Sequence, residues 1–317
     1  MASKKPVIAV VGATGAQGSG LVRAILQDPE RRFTARAITR KPDSDRARAL
    51  AAQGAEVVAA DTDDPSSLDR AFAGATGAFC VTIFWEHFSA DREVAQARAM
   101  ASAAARADVR HVIWSTLEDK RLRVPVSDDR MPTLHGRYKV PHFDGKGEAD
   151  AVFAEAKAPT TLLLTSFYWD NLIHFGMGPR KDASGQLVFA LPMGDKSLPG
   201  IAAEDIGPCA FGVFTRGQEL IGRTVGIAGE HLTGAQMAAE LSTALGQPVR
   251  YQAMAFEAFR KLGFPGADDL GNMFQYKHDF EREFRGARPV EEARKLYPGL
   301  QTFRQWLARH GKQIPLS

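Results

Sequence analysis

Three glycines spaced three apart, Gly12, Gly15 and Gly18, separate a run of branched apolar residues from an apolar-periodic segment. In Gly12-Ala13-Thr14-Gly15-Ala16-Gln17-Gly18 the first glycine permits a tight turn, the second lets backbone approach a pyrophosphate, and the third allows a helix to pack closely. The helix that follows turns unpaired N–H groups and a positive dipole end toward the same place. Glycines alone make only a tight turn. Between a strand and a helix they predict a dinucleotide site contacted by Gly12, Thr14, Gly15, Ala16, Gln17 and Gly18. Ile38-Thr39-Arg40-Lys41-Pro42 stands where an NAD site would place a carboxylate for the ribose 2′-hydroxyl. Arg40 offers a planar fork for a 2′-phosphate and Lys41 adds charge, so NADP(H) is expected over NAD(H); a solvated basic loop is the alternative. Asp61 is expected at the adenine edge, with helix capping by Asp64 as the plainer reading of that acidic run. Thr82, Ile83 and Phe84 are expected at a strand end facing ribose and pyrophosphate.

Those residues need a scaffold. Residues 7–11 are apolar without alternation, the pattern of a parallel strand buried on both faces. Residues 18–27 read as a helix on Leu21, Val22, Ile25 and Leu26. Further strands are predicted at 33–39, 56–58, 78–83 and 111–115. Helices are predicted at 47–53 behind an Asp43-Ser44 cap, at 68–72 behind Pro65, and at 90–106. Repeated βα units demand right-handed crossovers and a covered parallel sheet: a doubly wound α/β Rossmann fold. The alternation breaks near Glu118. Residues 119–141, rich in Arg, Pro, Asp and Gly, read as an inserted loop rather than a packed element. A helix at 144–157 and a strand at 160–165 complete a nucleotide-binding domain over 1–165. Residues 166–317 read as a smaller C-terminal α/β lobe for substrate or partner, with helices at 233–245, 256–262 and 290–308 and a strand at 248–251. Some of it returns to the first domain, Glu204 and Asp205 marking a turn and cap at re-entry.

A chain of 317 residues with 44% hydrophobic and 24% charged residues is ordinary for a globular protein. A formal charge of +3 gives no reason to invoke nucleic acid or an anionic membrane. Two cysteines cannot build a disulfide framework or a four-cysteine zinc site, which suits a reducing cytoplasm. Cys80 reads as buried filler. His87, His174 and His278 have no metal-ligand spacing, so no metal is expected. No apolar run approaches membrane-spanning or signal-peptide length.

Several segments resemble the NmrA-like family of atypical short-chain dehydrogenase/reductases, especially its HSCARG-type redox-sensor branch. They are the glycine turn with Val10 and Val11, Thr39-Arg40, Gln53-Gly54-Ala55-Glu56-Val57-Val58, His142-Phe143-Asp144-Gly145-Lys146-Gly147-Glu148, and Lys261-Leu262-Gly263-Phe264-Pro265-Gly266-Ala267. The resemblance implies a Rossmann domain with a small C-terminal lobe, NADP(H) preference and association as a homodimer. It places Gly12, Gly15, Gln17 and Gly18 on the diphosphate and Arg40 on the 2′-phosphate. Lys146 would approach the nicotinamide ribose, and Tyr168 and Asn171 would line the nicotinamide pocket.

Tyrosine-bearing members of that superfamily use Tyr-x-x-x-Lys with a serine on the fifth strand; the tyrosine moves the proton and the lysine lowers its pKa. Four residues before Lys146 this chain has His142, while Ser115 and Thr116 end the fifth strand. Lys146, His142 and Ser115 are therefore the candidate catalytic residues. Histidine is a competent acid near neutral pH, though one beside a proline at a helix start also serves as a cap. Tyr138, in the insert, is a further candidate. Phe167-Tyr168-Trp169 reads equally as core or as a substrate wall. Two functions follow. One is an NADP(H)-binding sensor that gates a protein partner, which the missing tyrosine favours. The other is an NADPH-dependent reductase of a small carbonyl, quinone or imine compound, which Lys146, Ser115 and the aromatic run favour. Titration of both cofactors by fluorescence is expected to show NADP(H) bound more tightly than NAD(H), with Arg40→Ala abolishing the difference; equal affinities that the substitution leaves untouched would remove the basis for the cofactor choice.

Overall fold

Six strands alternate with helices in the first of two compact units. A computed structural model describes residues 5–316. The first unit runs through Asp119 and adds His142–Leu164 and Glu204–Val225; the second comprises Lys120–Pro141, Thr165–Ala203 and the chain from Gly226 onward. Strands β1 (Val7–Val11), β2 (Thr34–Thr39), β3 (Glu56–Ala59), β4 (Gly77–Cys80), β5 (His111–Thr116) and β6 (Thr160–Leu164) pair in parallel. Their order is β6-β5-β4-β1-β2-β3, with Thr224–Gly226 beside β6 at the edge. Every residue of β1, β4 and β5 is buried, as strands covered on both faces must be. The order reverses between β1 and β4, the switch point where open α/β sheets form a crevice at their strand C-termini.

Local signals place the helices. Helix α1 (Gly18–Leu26) buries Leu21, Val22 and Ile25. Ser44 caps α2 (Asp45–Ala52) by accepting from the Ala47 amide, and Asp64 caps α3 (Pro65–Phe72) by accepting from Ser66 and Ser67. Helix α4 (Ala90–Arg106) lays Ala97, Met100, Ala101 and Ala104 into the core that Phe72, Trp114 and Phe153 also fill. Its small side chains bring it close to the sheet. Helix α5 (Pro141–Glu155) begins three residues before the expected start, so His142 is helical. Helix α1 also meets the helix Ala203–Arg216 backbone to backbone. A Cβ on Gly207 would lie 2.0 Å from the Leu21 nitrogen, and one on Gly20 2.9 Å from the Glu204 oxygen. Glu204 and Asp205 stand in the first turn of that helix, where the chain returns to the first unit.

In the second unit, Glu230–Thr233, Ser197–Ile201 and Phe167–Tyr168 form one small sheet, and Val249–Ala253, Leu187–Leu191 and Arg180–Lys181 another. Segment 120–141 differs from expectation. It holds a 3-10 turn, Lys120–Leu122, and an antiparallel bridge between Leu134 and Tyr138, yet it is packed, not loose. Lys139 Nζ, nearly inaccessible, donates to the carbonyls of Asp128 and Met131 and to Thr133 Oγ1 at 2.7–2.9 Å. Asn272 Nδ2 donates to the carbonyls of Pro132 and Lys139, and Gln275 Nε2 to that of Arg130. Those two amides belong to the helix Ala267–Asp279, so polar composition concealed a segment satisfied by a distant element. The single helix expected at 290–308 is two, Val290–Leu296 and Phe303–His310. Pro298 between them lacks the N–H a continuous helix needs.

The α1 contact gives the first structural prediction. Gly207→Ala forces a methyl into backbone that has no side chain to yield, so stability falls by about 1–3 kcal/mol or more. Urea unfolding of the variant against the parent measures it, and an unchanged midpoint would contradict the contact.

Candidate functional site

The glycine turn is built as a cradle. Gly12 has φ +65°, a conformation that L side chains rarely adopt. The Gly15 amide closes onto the Gly12 carbonyl at 2.9 Å. A Cβ on Gly18 would fall 2.4 Å from that oxygen, so only glycine lets α1 start so close to the strand end. The amides of Ala16 and Gly18 have no hydrogen-bond partner among the described residues. Two unmet donors at the positive end of a nine-residue helix fit a pyrophosphate. Thr14 Oγ1 lies 3.5 Å from Thr39 Oγ1, and the Thr14 carbonyl accepts from Arg46. Arg46, in the first turn of α2, is a cation at the turn that the sequence reading missed. Gln17 Oε1 accepts from Ser115 Oγ at 2.8 Å, which joins the candidate serine to the turn.

Arg40 follows β2 and is half exposed. Its guanidinium donates to Glu86 Oε1 at 2.6 Å. Glu86, chiefly by that bond and with help from Asp61 and Asp63, holds the guanidinium even more firmly protonated than usual. Asp63 is itself bound by Arg92 at 2.5 Å and by Gln96 at 3.0 Å. Asp61 turns inward on its own loop, accepting from the Asp63 amide at 3.0 Å. Lys41 is exposed and has no ion-pair partner among the described residues. The expected strand 78–83 stops at Cys80, because the chain turns there into the 3-10 segment Phe84–Glu86. Thr82 and Phe84 are buried beyond the strand end, whereas Ile83 is 45% exposed. Cys80 is fully buried, and burial drives its thiol pKa far above the usual value.

Lys146 stands one strand further along. Its flanking glycines have a packing reason. A Cβ on Gly145 would meet Ala90 at 2.9 Å, and one on Gly147 the Asp119 nitrogen at 2.3 Å. Helix α5 thereby approaches α4 closely enough for Lys146 Nζ to reach Thr82 Oγ1 at 2.7 Å and Glu93 Oε1 at 3.2 Å. Thr82 Oγ1 donates to the same Glu93 oxygen at 2.5 Å. Glu93 is inaccessible, and its other oxygen finds no hydrogen-bond donor among the described residues. A buried carboxylate so placed depends on the Lys146 charge. The lysine also lies 4.9 Å from the Trp114 ring.

One turn further along α5, Asp150 Oδ1 accepts from Trp114 Nε1 at 2.9 Å and lies 2.6 Å from Thr116 Oγ1. Burial is the main force raising its carboxyl to about 7, against hydrogen bonds from Thr116 and Trp114 and the Lys146 charge. Thr116 has one proton and also faces the Lys146 carbonyl at 3.2 Å. Its short contact is the one to Asp150 Oδ1, to which it donates, and the Leu117 and Lys146 carbonyls lie farther off at 3.2 Å. Neither Glu93 nor Asp150 was singled out in the sequence; the one available signal was the four-residue spacing from Lys146 to Asp150.

The other candidates have different surroundings. His142 is 6% exposed, its ring 4.9 Å from Trp85, 6.0 Å from Phe84 and 4.8 Å from Phe143. Tyr138 is buried in the second unit, where its hydroxyl accepts from Arg137 and Arg121 lies over its ring. Phe167 and Trp169 are core of that unit, Trp169 packing on Phe303 and Trp306. Tyr168, half buried, and Asn171 are carried by the second unit, on the strand Phe167–Tyr168 and the helix Asn171–His174. Among the described residues no cluster of His, Cys, Asp or Glu is arranged to hold a metal, and no helix is long and apolar enough to cross a membrane.

Comparison with known proteins gives a consistent picture. The sequence profile of the NmrA-like family matches residues 4–307. An NAD(P)H azoreductase of Xenophilus azovorans is 31% identical over 276 residues, 84% of this chain and 86% of that protein. The NmrA-like family domain-containing oxidoreductase FrzB of a Cladobotryum species is 28% identical, covering 90% and 88%. The crystal structure of NmrA, a negative transcriptional regulator, in complex with NADP superposes with a TM-score of 0.78 over 96% of this chain and 95% of that one, at 24% identity.

The Asp150 carboxyl gives a pH signature. The folded protein keeps this proton up to about pH 7, whereas an unfolded aspartate loses it near pH ~4. The folded state thus binds more protons between those values, so this group's contribution to stability falls as pH rises through the window and is level above it. Asp150→Asn keeps the acceptor for Trp114 and cannot ionise. Its stability relative to the parent is expected to climb from pH 5 to pH 7 and then plateau in parallel urea titrations; a constant gap would show that Asp150 does not titrate there.

Proposed function

Because the chain belongs to the NmrA-like family, we propose that it binds NADP(H) and reduces a small quinone-, imine- or azo-type acceptor. The unmet Ala16 and Gly18 amides above the glycine cradle carry the binding half of this reading. They take the pyrophosphate, Arg40 and Lys41 take the 2′-phosphate, and Lys146 approaches the nicotinamide ribose. An NADP-bound structural neighbour and an NAD(P)H azoreductase relative support the cofactor. Bound NADPH supplies a hydride.

The chain's own residues hold and shield. Lys146 is fixed by Glu93 and Thr82, so its position is set before any ligand arrives. The position four residues earlier carries His142, enclosed by Phe84, Trp85 and Phe143. No tyrosine stands there to hand over a proton, which favours acceptors whose reduced atoms take their proton from water.

The same enclosed His142 favours a second reading, a sensor whose cofactor state governs homodimer formation or a protein partner. NADPH oxidation followed at 340 nm across quinones, imines and azo compounds separates the two. The reductase reading expects repeated turnover that drops about 100-fold in Lys146→Ala, the loss typical of a misplaced reactant. Binding without turnover on any acceptor, together with a cofactor-dependent change in size by light scattering, would replace it with the sensor.

A further inference from the structure

Arg40 and Glu86 come from opposite sides of the switch point. Arg40 follows β2 and Glu86 lies six residues after β4, the strands that flank β1. Their ion pair at 2.6 Å ties the two flanks together. Nothing buries it: the side chains are 53% and 43% exposed. An exposed pair of this kind exchanges partners readily. Arg40 is also the cation read above as the 2′-phosphate ligand, so a carboxylate already holds the fork that a phosphate would use.

Three carboxylates bear on this guanidinium, Glu86, Asp61 and Asp63. Asp63 is neutralised by Arg92 and Asp61 bonds its own loop, which leaves Glu86 as the direct competitor. The two forms of cofactor differ just here. A ribose 2′-hydroxyl is a donor and can bond Glu86 while the ion pair persists, the role a carboxylate plays in NAD sites. A 2′-phosphate is a dianion that Glu86 repels, and it must draw Arg40 away.

Glu86 does not stand alone. It ends the 3-10 turn Phe84–Glu86, whose Trp85 ring lies 4.9 Å from His142. His142 is one helical turn before Lys146 on α5, and Lys146 bonds Thr82 just ahead of the same turn. Movement of Glu86 therefore bears on the segment that carries Thr82 and packs against α5.

We propose that Glu86 sets the discrimination between phosphorylated and unphosphorylated cofactor, and that the Arg40–Glu86 pair is a latch on the Phe84–Glu86 turn opened by the 2′-phosphate. The proposal rests on Arg40 being the 2′-phosphate ligand. Glu86 lowers NADP affinity, admits NAD, and makes Trp85 report which of the two is bound.

Calorimetric titration of the full chain with NADP+ and NAD+ tests it, in the parent, Glu86→Gln and Arg40→Ala. Glu86→Gln is expected to tighten NADP+ by about two- to tenfold, the range of one exposed ion pair, while NAD+ binding stays level or weakens. Tryptophan emission of the parent is expected to respond to NADP+ and not to NAD+, with the response lost in Trp85→Phe. The oxidised cofactors avoid energy transfer from tryptophan to a reduced nicotinamide. If Glu86→Gln shifts both cofactors equally or neither, or if the emission change survives Trp85→Phe, the latch is refuted. If Arg40→Ala leaves NADP+ affinity intact, the assignment of Arg40 fails and the latch fails with it. Weakening by Arg40→Ala without any effect of Glu86→Gln rejects the latch alone and leaves the cofactor reading standing.

Discussion

The contact between Gly18 and the Gly12 carbonyl, with no room for a Cβ between them, governs the site. It brings the first turn of α1 against the end of β1, where the amides of Ala16 and Gly18 have no partner among the described residues. Helix dipoles act over roughly a single turn, so a start displaced by a few ångströms would lose the anion site. The opposite face of α1 is held by the same means, since Gly20 and Gly207 let two helices meet through their backbones. Small residues on both sides thus set how closely α1 approaches β1 and the helix Ala203–Arg216.

A second constraint is electrostatic. Lys146, Glu93, Thr82, Thr116 and Asp150 form a linked polar group beneath the strand ends, with Trp114 as both hydrogen-bond donor and ring neighbour. Burying one carboxylate beside a lysine is tolerable, because charge answers charge. The second carboxyl, Asp150, escapes the same cost by keeping its proton near neutral pH. The network therefore holds one carboxyl paired with the lysine and one raised to about 7, a turn of helix from the lysine that faces the cofactor in the proposed reading.

Charge around Arg40 is arranged differently. There Glu86 and Asp63 are exposed and Asp61 half-buried, solvent screens them, and each has a specific cation or amide to engage. Such pairs contribute little to stability. Their consequence, in the proposed reading, lies in competition for the guanidinium, which would make this edge of the crevice responsive to ligand charge.

Elements encoded by short-range pattern were legible in the sequence. The buried runs of β1 and β5, the Ser44 and Asp64 caps and the glycine turn are local signals, and each element formed within a few residues of its expected place. The motif around Lys146 was visible as a string, but the reason for its glycines, contact with Ala90 and Asp119, depends on residues that folding brings near. Likewise no local rule joins Arg40 to Glu86, Ser115 to Gln17 or Lys146 to Glu93, since sheet order alone makes them neighbours. Segment 120–141 looked loose because its hydrogen-bond partners, Asn272 and Gln275, lie far along the chain. Spacing along the chain determined which residues could serve a dinucleotide. Tertiary packing decided which of them are held, shielded or left to compete, because desolvation and charge act across space and not along sequence.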